Sequence, residues 1–143
     1  MGKGRHPVVG VSYHDALAFC RWADCRLPTA QEWEKAARGT DGRTYPWGED
    51  WVDAKYCNNW DAGTGSTTAM GKYLAGESPY GIQDMVGNVW EWTTSEHQGP
   101  LMHELRGGSW RSFSRFALRI TVRDGLMLDD ARDDVGFRCA RWS

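Results

Sequence analysis

A chain of 143 residues with a formal net charge of −2 is long enough for one domain with a core and too short for two comfortable ones. Seventeen Lys and Arg against 19 Asp and Glu argue against a nucleic-acid binder held by general electrostatics, which needs a basic excess. No apolar run approaches the roughly 20 residues that cross a bilayer, and Met1 to His6 lack the apolar core of a signal peptide. No membrane insertion is therefore expected, and the chain either starts in the cytoplasm, is displayed on a virion or cell surface, or is a piece of a longer product.

Nine Trp and 17 Gly depart from an average composition. Trp brings large apolar area and an N–H that needs a partner. Gly permits close backbone approach. Together they point to tightly packed irregular loops. Residues 8–11 read as a short extended entry. Ser12 is a good N-cap, and Tyr13, Ala16, Leu17, Cys20 and Ala23 follow at helical spacing, which predicts a helix over about 13–23. Arg26-Leu27-Pro28 breaks it. Thr29 and Glu32 form a T-x-x-E capping box that starts a second helix, with Trp33, Ala36 and Ala37 on its apolar face and Gly39 at its end. Over 40–80 neither period is sustained. A loop of that length in a compact domain is expected to be functional, or pinned by a metal or by Trp packing. Strands come late, at 88–93, 105–110, 116–123 and 135–141, where residues alternate. Phe116, Leu118 and Ile120 fall on the core face of the third. Gly107-Gly108 inside the second suggests a bulge or a close backbone crossing. Helices first and strands later make an α+β domain, read as a single unit over 1–143.

The four Cys, at 20, 25, 57 and 139, show no C-x-x-C spacing, so no zinc site is expected from them. Free thiols and a disulfide both stay open, depending on compartment. His6, His14, His97 and His103 include no helical i, i+4 pair and read as surface or loop residues. Asp129, Asp130, Asp133 and Asp134 cluster with Arg132 in what reads as a solvated, salt-laced loop.

Several segments then line up in order: Pro7-Val8-Val9-Gly10-Val11-Ser12, Arg26-Leu27-Pro28-Thr29, Glu32-Trp33-Glu34, Ala36-Ala37-Arg38-Gly39 and Tyr45-Pro46-Trp47-Gly48. They continue with Gly81-Ile82-Gln83-Asp84-Met85-Val86-Gly87-Asn88-Val89-Trp90-Glu91-Trp92, Arg106-Gly107-Gly108-Ser109-Trp110 and Gly136-Phe137-Arg138-Cys139. This order resembles the formylglycine-generating enzyme (sulfatase-modifying factor) family over nearly the whole chain. The strand-rich segment that precedes the first helix in that family is missing, so the chain is expected to be the C-terminal portion of that domain or a minimal version of it. The resemblance implies a fold related to C-type lectins, with two N-terminal helices, long irregular loops and a small twisted antiparallel sheet. It also pairs Cys20 with Cys139 in a disulfide.

Enzymes of that family oxidise a substrate cysteine with copper and oxygen, and two cysteines after R-G-G-S hold the copper. The matching positions here are Ser112 and Ala117. Soft Cu(I) needs thiolate ligands, so neither copper nor this oxidase activity is expected. Ser109 and Arg119 match pocket residues of the family and are equally ordinary strand residues. Related sulfoxide synthases hold iron on three histidines of a separate domain, which the four His here do not reproduce.

Calcium takes hard oxygen ligands, carboxylates and main-chain carbonyls included. Asp84, Gly87, Val89 and Glu91 are the best such set and match a calcium site of the family. A second family site would match Asn58 and the carbonyl of Asn59, with only Asp61 near to supply a carboxylate. Either ion would be structural.

Exposed Arg and aromatic residues on a rigid scaffold are what recognition surfaces use. The candidates are Arg111, Ser112, Phe113, Ser114 and Arg115, and later Asp124, Leu126, Met127, Leu128, Asp133 and Asp134. Met127 and Leu128 form either a surface patch or a lid over the core. The frame, 106–110 with 136–138, also resembles variable proteins of diversity-generating retroelements, which vary the residues between its two ends. The reading is a non-catalytic ligand-binding module whose partner is a protein or a cell-surface group. The alternative is an enzyme fragment of the formylglycine-generating or sulfoxide-synthase type, supplying a pocket to a missing N-terminal domain.

Overall fold

The computed structural model describes residues 4–141. Helix α1 (Tyr13–Trp22) begins at Ser12, whose Oγ accepts the Asp15 N–H at 3.2 Å while Asp15 Oδ2 accepts the Ser12 N–H at 3.0 Å. Helix α2 (Ala30–Arg38) starts the same way, Thr29 and Glu32 exchanging bonds of 3.1 and 2.9 Å. Each such cap stabilises by about 1 kcal/mol. Gly39 ends α2 at φ 72°, and a Cβ there would lie 2.9 Å from the Pro79 ring.

The strands are β1 (Trp90–Glu96), β2 (Met102–Arg106), β3 (Arg123–Met127) and β4 (Val135–Gly136), in the sheet order β3-β2-β1-β4. The pairs β1–β2 and β2–β3 are antiparallel. β4 runs parallel to β1, so the sheet is mixed where an all-antiparallel one is expected. The fold is α+β and C-type-lectin-like: two helices, a small curled sheet and long loops.

Each predicted strand is shifted for a local reason. β1 starts at Trp90 because Asn88 sits at φ 65° with its amide locked onto the Thr68 backbone (3.0 and 3.2 Å). β2 ends at Arg106 because Gly107 and Gly108, at φ 101° and 68°, turn the chain away. A Cβ on Gly107 would come within 2.6 Å of the Met85 carbonyl oxygen, so the double glycine is a close crossing after the strand. The segment 116–123 is not a strand until its last residue. Ser114 caps a 3-10 turn at Arg115–Leu118, its Oγ accepting the Phe116 N–H at 3.2 Å. That turn sends Leu118 into the core and Phe116 out to solvent, where it is 57 % exposed, correcting its assignment to the core face. The last strand is only two residues long, and Arg138 beyond it turns inward to Glu91.

One buried cluster joins α1 to the sheet through Tyr13, Ala16, Cys20, Leu27, Trp92, Leu105 and Val135. The other joins α2 to the loops through Trp33, Tyr45, Met85, Val86, Leu118 and Ile120. Fully burying one such aliphatic side chain contributes about 1.5–3 kcal/mol. The long loop is pinned by rings: Tyr45 stacks on Trp47 at 5.1 Å, and Trp47 on Tyr56 at 4.6 Å.

Candidate functional site

The frame is a set of buried polar anchors, each bonded to neighbouring segments. Arg106 donates to Glu104 Oε2 (3.0 Å), Glu34 Oε1 (2.6 Å) and the Ile120 carbonyl (2.8 Å), and its guanidinium lies 5.2 Å from the Trp33 ring. Ser109 Oγ donates to Asp134 Oδ2 at 2.9 Å and accepts the Arg111 N–H at 3.1 Å. Asp134 also receives Arg132 Nε at 3.0 Å. These bonds tie the end of R-G-G-S-W to the segment before β4.

From that frame a row of side chains projects. The Arg111 guanidinium stacks on Trp110 at 4.3 Å and donates to both Asp133 oxygens at 2.7 and 2.8 Å. Arg111, Arg132, Asp133 and Asp134 line a cavity of about 500 Å³. Phe113 is 75 % exposed, as expected. Arg115 and Arg119 lie 5.2 and 6.0 Å from the Phe116 ring, and Trp60 is exposed on the neighbouring loop, its N–H held by the Ser112 carbonyl at 2.9 Å. Trp60 and Phe116 were not singled out as surface residues. Trp60 lies in an unpatterned loop, and the apparent alternation of 116–123 disguised Phe116.

Ser112 and Ser114 are framework rather than display. Ser112 Oγ accepts the Ser109 N–H at 3.1 Å, and Ser114 Oγ caps the 3-10 turn. Ser112 and Ala117 both border Gly108, where a Cβ would meet Ser112 Oγ at 3.1 Å and the Ala117 carbonyl oxygen at 3.4 Å. A hydroxyl and a methyl thus stand where the family resemblance calls for two thiols. Neither is a useful ligand for Cu(I).

The later candidates divide. Asp133 and Asp134 join Arg111, but Asp124, Leu126 and Met127 belong to β3, at the edge of the sheet opposite β4. Leu126 and Leu128 pack on the α1 core cluster, and the Leu128 carbonyl accepts the Tyr13 N–H at 3.2 Å. Residues 124–127 pair with β2, so the later candidates do not share one loop. Leu128 acts as part of a lid, and Met127 is the more exposed of the two.

Asp84, Val89 and Glu91 share a cavity of about 110 Å³ with Gln83 and Arg138, and Gly87 is not among its lining residues. Asp84 Oδ2 accepts the Gly71 N–H at 2.8 Å, while Asp84 Oδ1 and Gln83 Oε1 are buried with no protein partner. Burial pushes the Asp84 carboxyl pKa up, against the Gly71 N–H and the Arg138 charge. Glu91 accepts Arg138 on both oxygens (2.7 and 2.9 Å) and Trp33 Nε1 on one (2.8 Å). The two orphaned oxygens are the kind of ligand a hard cation takes, whereas the Arg138 guanidinium lines the same cavity and already holds both Glu91 oxygens.

In the Asn58–Asn59 pair the Asn58 side chain is already taken up by protein partners. Asn58 Oδ1 accepts the Thr64 hydroxyl at 2.7 Å, and its amide N–H bonds the Ser66 carbonyl at 2.8 Å and Asn88 Oδ1 at 3.2 Å. Thr64 and Ser66 lie directly on Asn58, and Asp61 is exposed. Both side-chain polar atoms of Asn59 are buried without a partner.

Cys20 and Cys139 do come together, but as two corners of a triangle whose third is Cys25, and all three are free thiols. Burial pushes the Cys20 thiol up to about 12, and burial likewise raises Cys139. The histidines are dispersed. His103 is buried on the Thr93 carbonyl at 3.0 Å, His14 meets Asp129 at the surface at 3.3 Å, and His6 bonds Thr67 at 2.8 Å. No helix among the described residues is long and apolar enough to cross a membrane.

Comparison with known proteins places this geometry. The sulfatase-modifying factor enzyme 1-like domain family matches residues 1–143. The inactive C-alpha-formylglycine-generating enzyme 2 of Bos taurus is 41 % identical over 154 residues, which cover 96 % of this chain and 51 % of that protein. The formylglycine-generating enzyme of Mycobacterium tuberculosis is 45 % identical, covering 96 % of this chain and 58 % of that protein. The chain thus spans about half the length of these curated relatives. Among solved structures, Treponema denticola variable protein 1 superposes with a TM-score of 0.79 at 22 % identity, covering 96 % of this chain and 71 % of that one, a likeness of fold.

Proposed function

We propose, from the premise that this chain belongs to the sulfatase-modifying factor enzyme 1-like family, that it is a non-catalytic ligand-binding module. The observation that carries the proposal is a single stretch. Ser112 and Ala117 replace the thiol pair, while Arg111, Phe113, Arg115 and Phe116 project from a frame that is held by other residues. A relative named inactive, at 41 % identity, and a fold neighbour named a variable protein both support it. The ligand class is a protein or cell-surface group, engaged by the exposed aromatic rings and guanidinium groups. A calcium ion at Asp84 and Glu91 would serve as a structural pin for the segment that feeds β1.

Two measurements test the reading. The 143-residue chain given Cu(I), oxygen and a cysteine-bearing sulfatase peptide is expected to yield no aldehyde above the protein-free control. Aldehyde above that control overturns the non-catalytic assignment. Screening against an array of glycans and extracellular proteins is then expected to return binders that lose at least about tenfold in affinity, roughly 1.4 kcal/mol, to Phe113→Asp or Arg115→Glu. Binders indifferent to both substitutions would place the recognition surface elsewhere.

A further inference from the structure

The four cysteines lack a metal-binding spacing in sequence, yet the fold gathers three of them. The Sγ atoms of Cys20, Cys25 and Cys139 all lie within 4.8 Å of one another. Cys20 is in the last turn of α1 and buried, Cys25 is half-buried in the following turn, and Cys139 is exposed near the C-terminus. Among the described residues this is the one group of three or more Cys, His, Asp or Glu able to converge on a single ion.

Main-chain bonds hold the triangle. The Cys25 N–H donates to the Cys20 carbonyl at 2.9 Å, closing the turn after α1. The next residue, Arg26, pairs with Ala140 in an isolated antiparallel bridge, with bonds of 2.9 and 2.6 Å, and Ala140 directly follows Cys139. Two of the thiols therefore flank a fixed backbone bridge and the third is set by the helix. Three sulfurs each about 2.3 Å from a tetrahedral zinc ion stand about 3.8 Å apart, so the triangle needs only a small closure of side-chain torsions. Cys20 and Cys25 line a cavity of about 320 Å³ that Arg21 also lines, and the Arg141 charge favours the Cys139 thiolate. The exposed Cys139 corner leaves a path for the ion and a place for a water as fourth ligand.

We infer that Cys20, Cys25 and Cys139 form a three-thiolate site for a soft, thiophilic cation of the Cu(I) or Zn(II) class, which clamps the end of α1 to the C-terminal segment. It is separate from the Ser112–Ala117 position, where thiols are lacking. Each sulfur bonds the metal as its proton passes to solvent, and no residue changes oxidation state. Cys57 is not part of the site. It is buried in the other core cluster.

The test uses the full chain, fully reduced and anaerobic. Cd(II) is titrated as a spectroscopic probe of thiolate coordination, and Zn(II) and Cu(I) are each titrated in competition with a chromophoric chelator. The expected result is one ion per chain with three thiolates, and protection of Cys20, Cys25 and Cys139 against alkylation. The tighter of the Zn(II) and Cu(I) arms identifies the ion. Cys25→Ser and, separately, the exposed Cys139→Ser are expected to lower affinity at least about 100-fold, the upper end of what disturbing a metal's outer sphere costs, without changing the circular dichroism spectrum. Affinity within threefold of the parent in both variants overturns the site. So does peptide mapping that finds Cys20 and Cys139 still disulfide-bonded under reductant, or an absence of binding at micromolar metal.

Discussion

Replacing Glu91 by Ala tests whether the candidate metal pocket is also the main polar joint of the fold. Glu91 is 3 % exposed and accepts both Arg138 bonds and the Trp33 indole N–H. Truncation leaves a guanidinium facing a void and an indole without an acceptor. Breaking a buried pair by removing one partner costs about 3–5 kcal/mol. Arg138 keeps its bonds to the carbonyls of Gln83 and Asp84 at 3.0 and 3.1 Å, which places the expected loss at the lower end, about 3 kcal/mol. At about 2–4 °C per kcal/mol for a chain of this size, the midpoint should fall by on the order of 10 °C. Urea unfolding followed by Trp fluorescence measures it, in chelator and again with added calcium. Calcium is expected to stabilise the parent and not the variant. A loss under about 1 kcal/mol in chelator would refute the reasoning about the pair, and an equal calcium response in both proteins would refute the role of Glu91 as a ligand.

Asp84→Asn should raise stability in chelator and abolish the response to calcium. The raised carboxyl pKa of Asp84 means the folded state holds its proton more tightly, so this residue's contribution falls as pH rises from about 3.9 through the folded value. The Asn variant should lose that dependence in pH-resolved unfolding. Ser112→Cys with Ala117→Cys, at the two positions that the family resemblance assigns to the copper thiols, should bind one more Cu(I) than the parent; an unchanged stoichiometry in chelator competition would show that the two positions do not converge. Arg26→Ala should move the Glu32 titration up from about 2, because the Arg26 bonds are the largest cause of its depression. The stabilisation from that depressed carboxyl is present above its unfolded pKa and is lost as pH falls toward about 2, so NMR titration of the Glu32 carboxyl carbon and acid unfolding should shift together.

Sequence patterns located the helices to within a residue because capping boxes are local: Ser12 with Asp15 and Thr29 with Glu32 each complete a motif inside four residues. The strands were legible as present but not in register. Asn88 and Gly107 break extended backbone through contacts with Thr68 and Met85, which no local pattern reveals. Phe116 was misplaced because Phe116, Leu118 and Ile120 alternate like a strand although the first two lie on a 3-10 turn, and its outward direction is set by the cap at Ser114. The family resemblance already paired Cys20 with Cys139, but the third thiol, Cys25, was illegible for the same reason: it meets Cys139 through the bridge between Arg26 and Ala140. The Arg111–Asp133 pairing was half legible, since both residues were candidates, while the removal of Asp124 and Leu126 to β3 required the sheet order.

The proposed recognition surface has a physical requirement of its own: its side chains must be replaceable without loss of the fold. The backbone of the stretch meets it. Ser112 is held through its N–H by the Ser109 carbonyl (3.0 Å) and through its carbonyl by the Trp60 N–H (2.9 Å). Arg115 is held through its carbonyl by the Tyr45 hydroxyl at 2.8 Å. Beneath it Arg106 is bonded to Glu104 and the Ile120 carbonyl, and Ser109 is bonded to Asp134. None of these bonds uses the side chains of Phe113 or Phe116, which are 75 % and 57 % exposed. Exposed substitutions away from caps, cores and buried networks change stability by within about 0.5 kcal/mol. Phe113→Ala and Phe116→Ala are therefore expected to unfold at urea midpoints close to the parent's, whereas Ser109→Ala, which strips Asp134 of a buried donor, is expected to lose about 1–3 kcal/mol. A loss beyond about 1 kcal/mol in either Phe variant would mean the rings serve the fold, and a surface so constrained could not be the place where recognition is set.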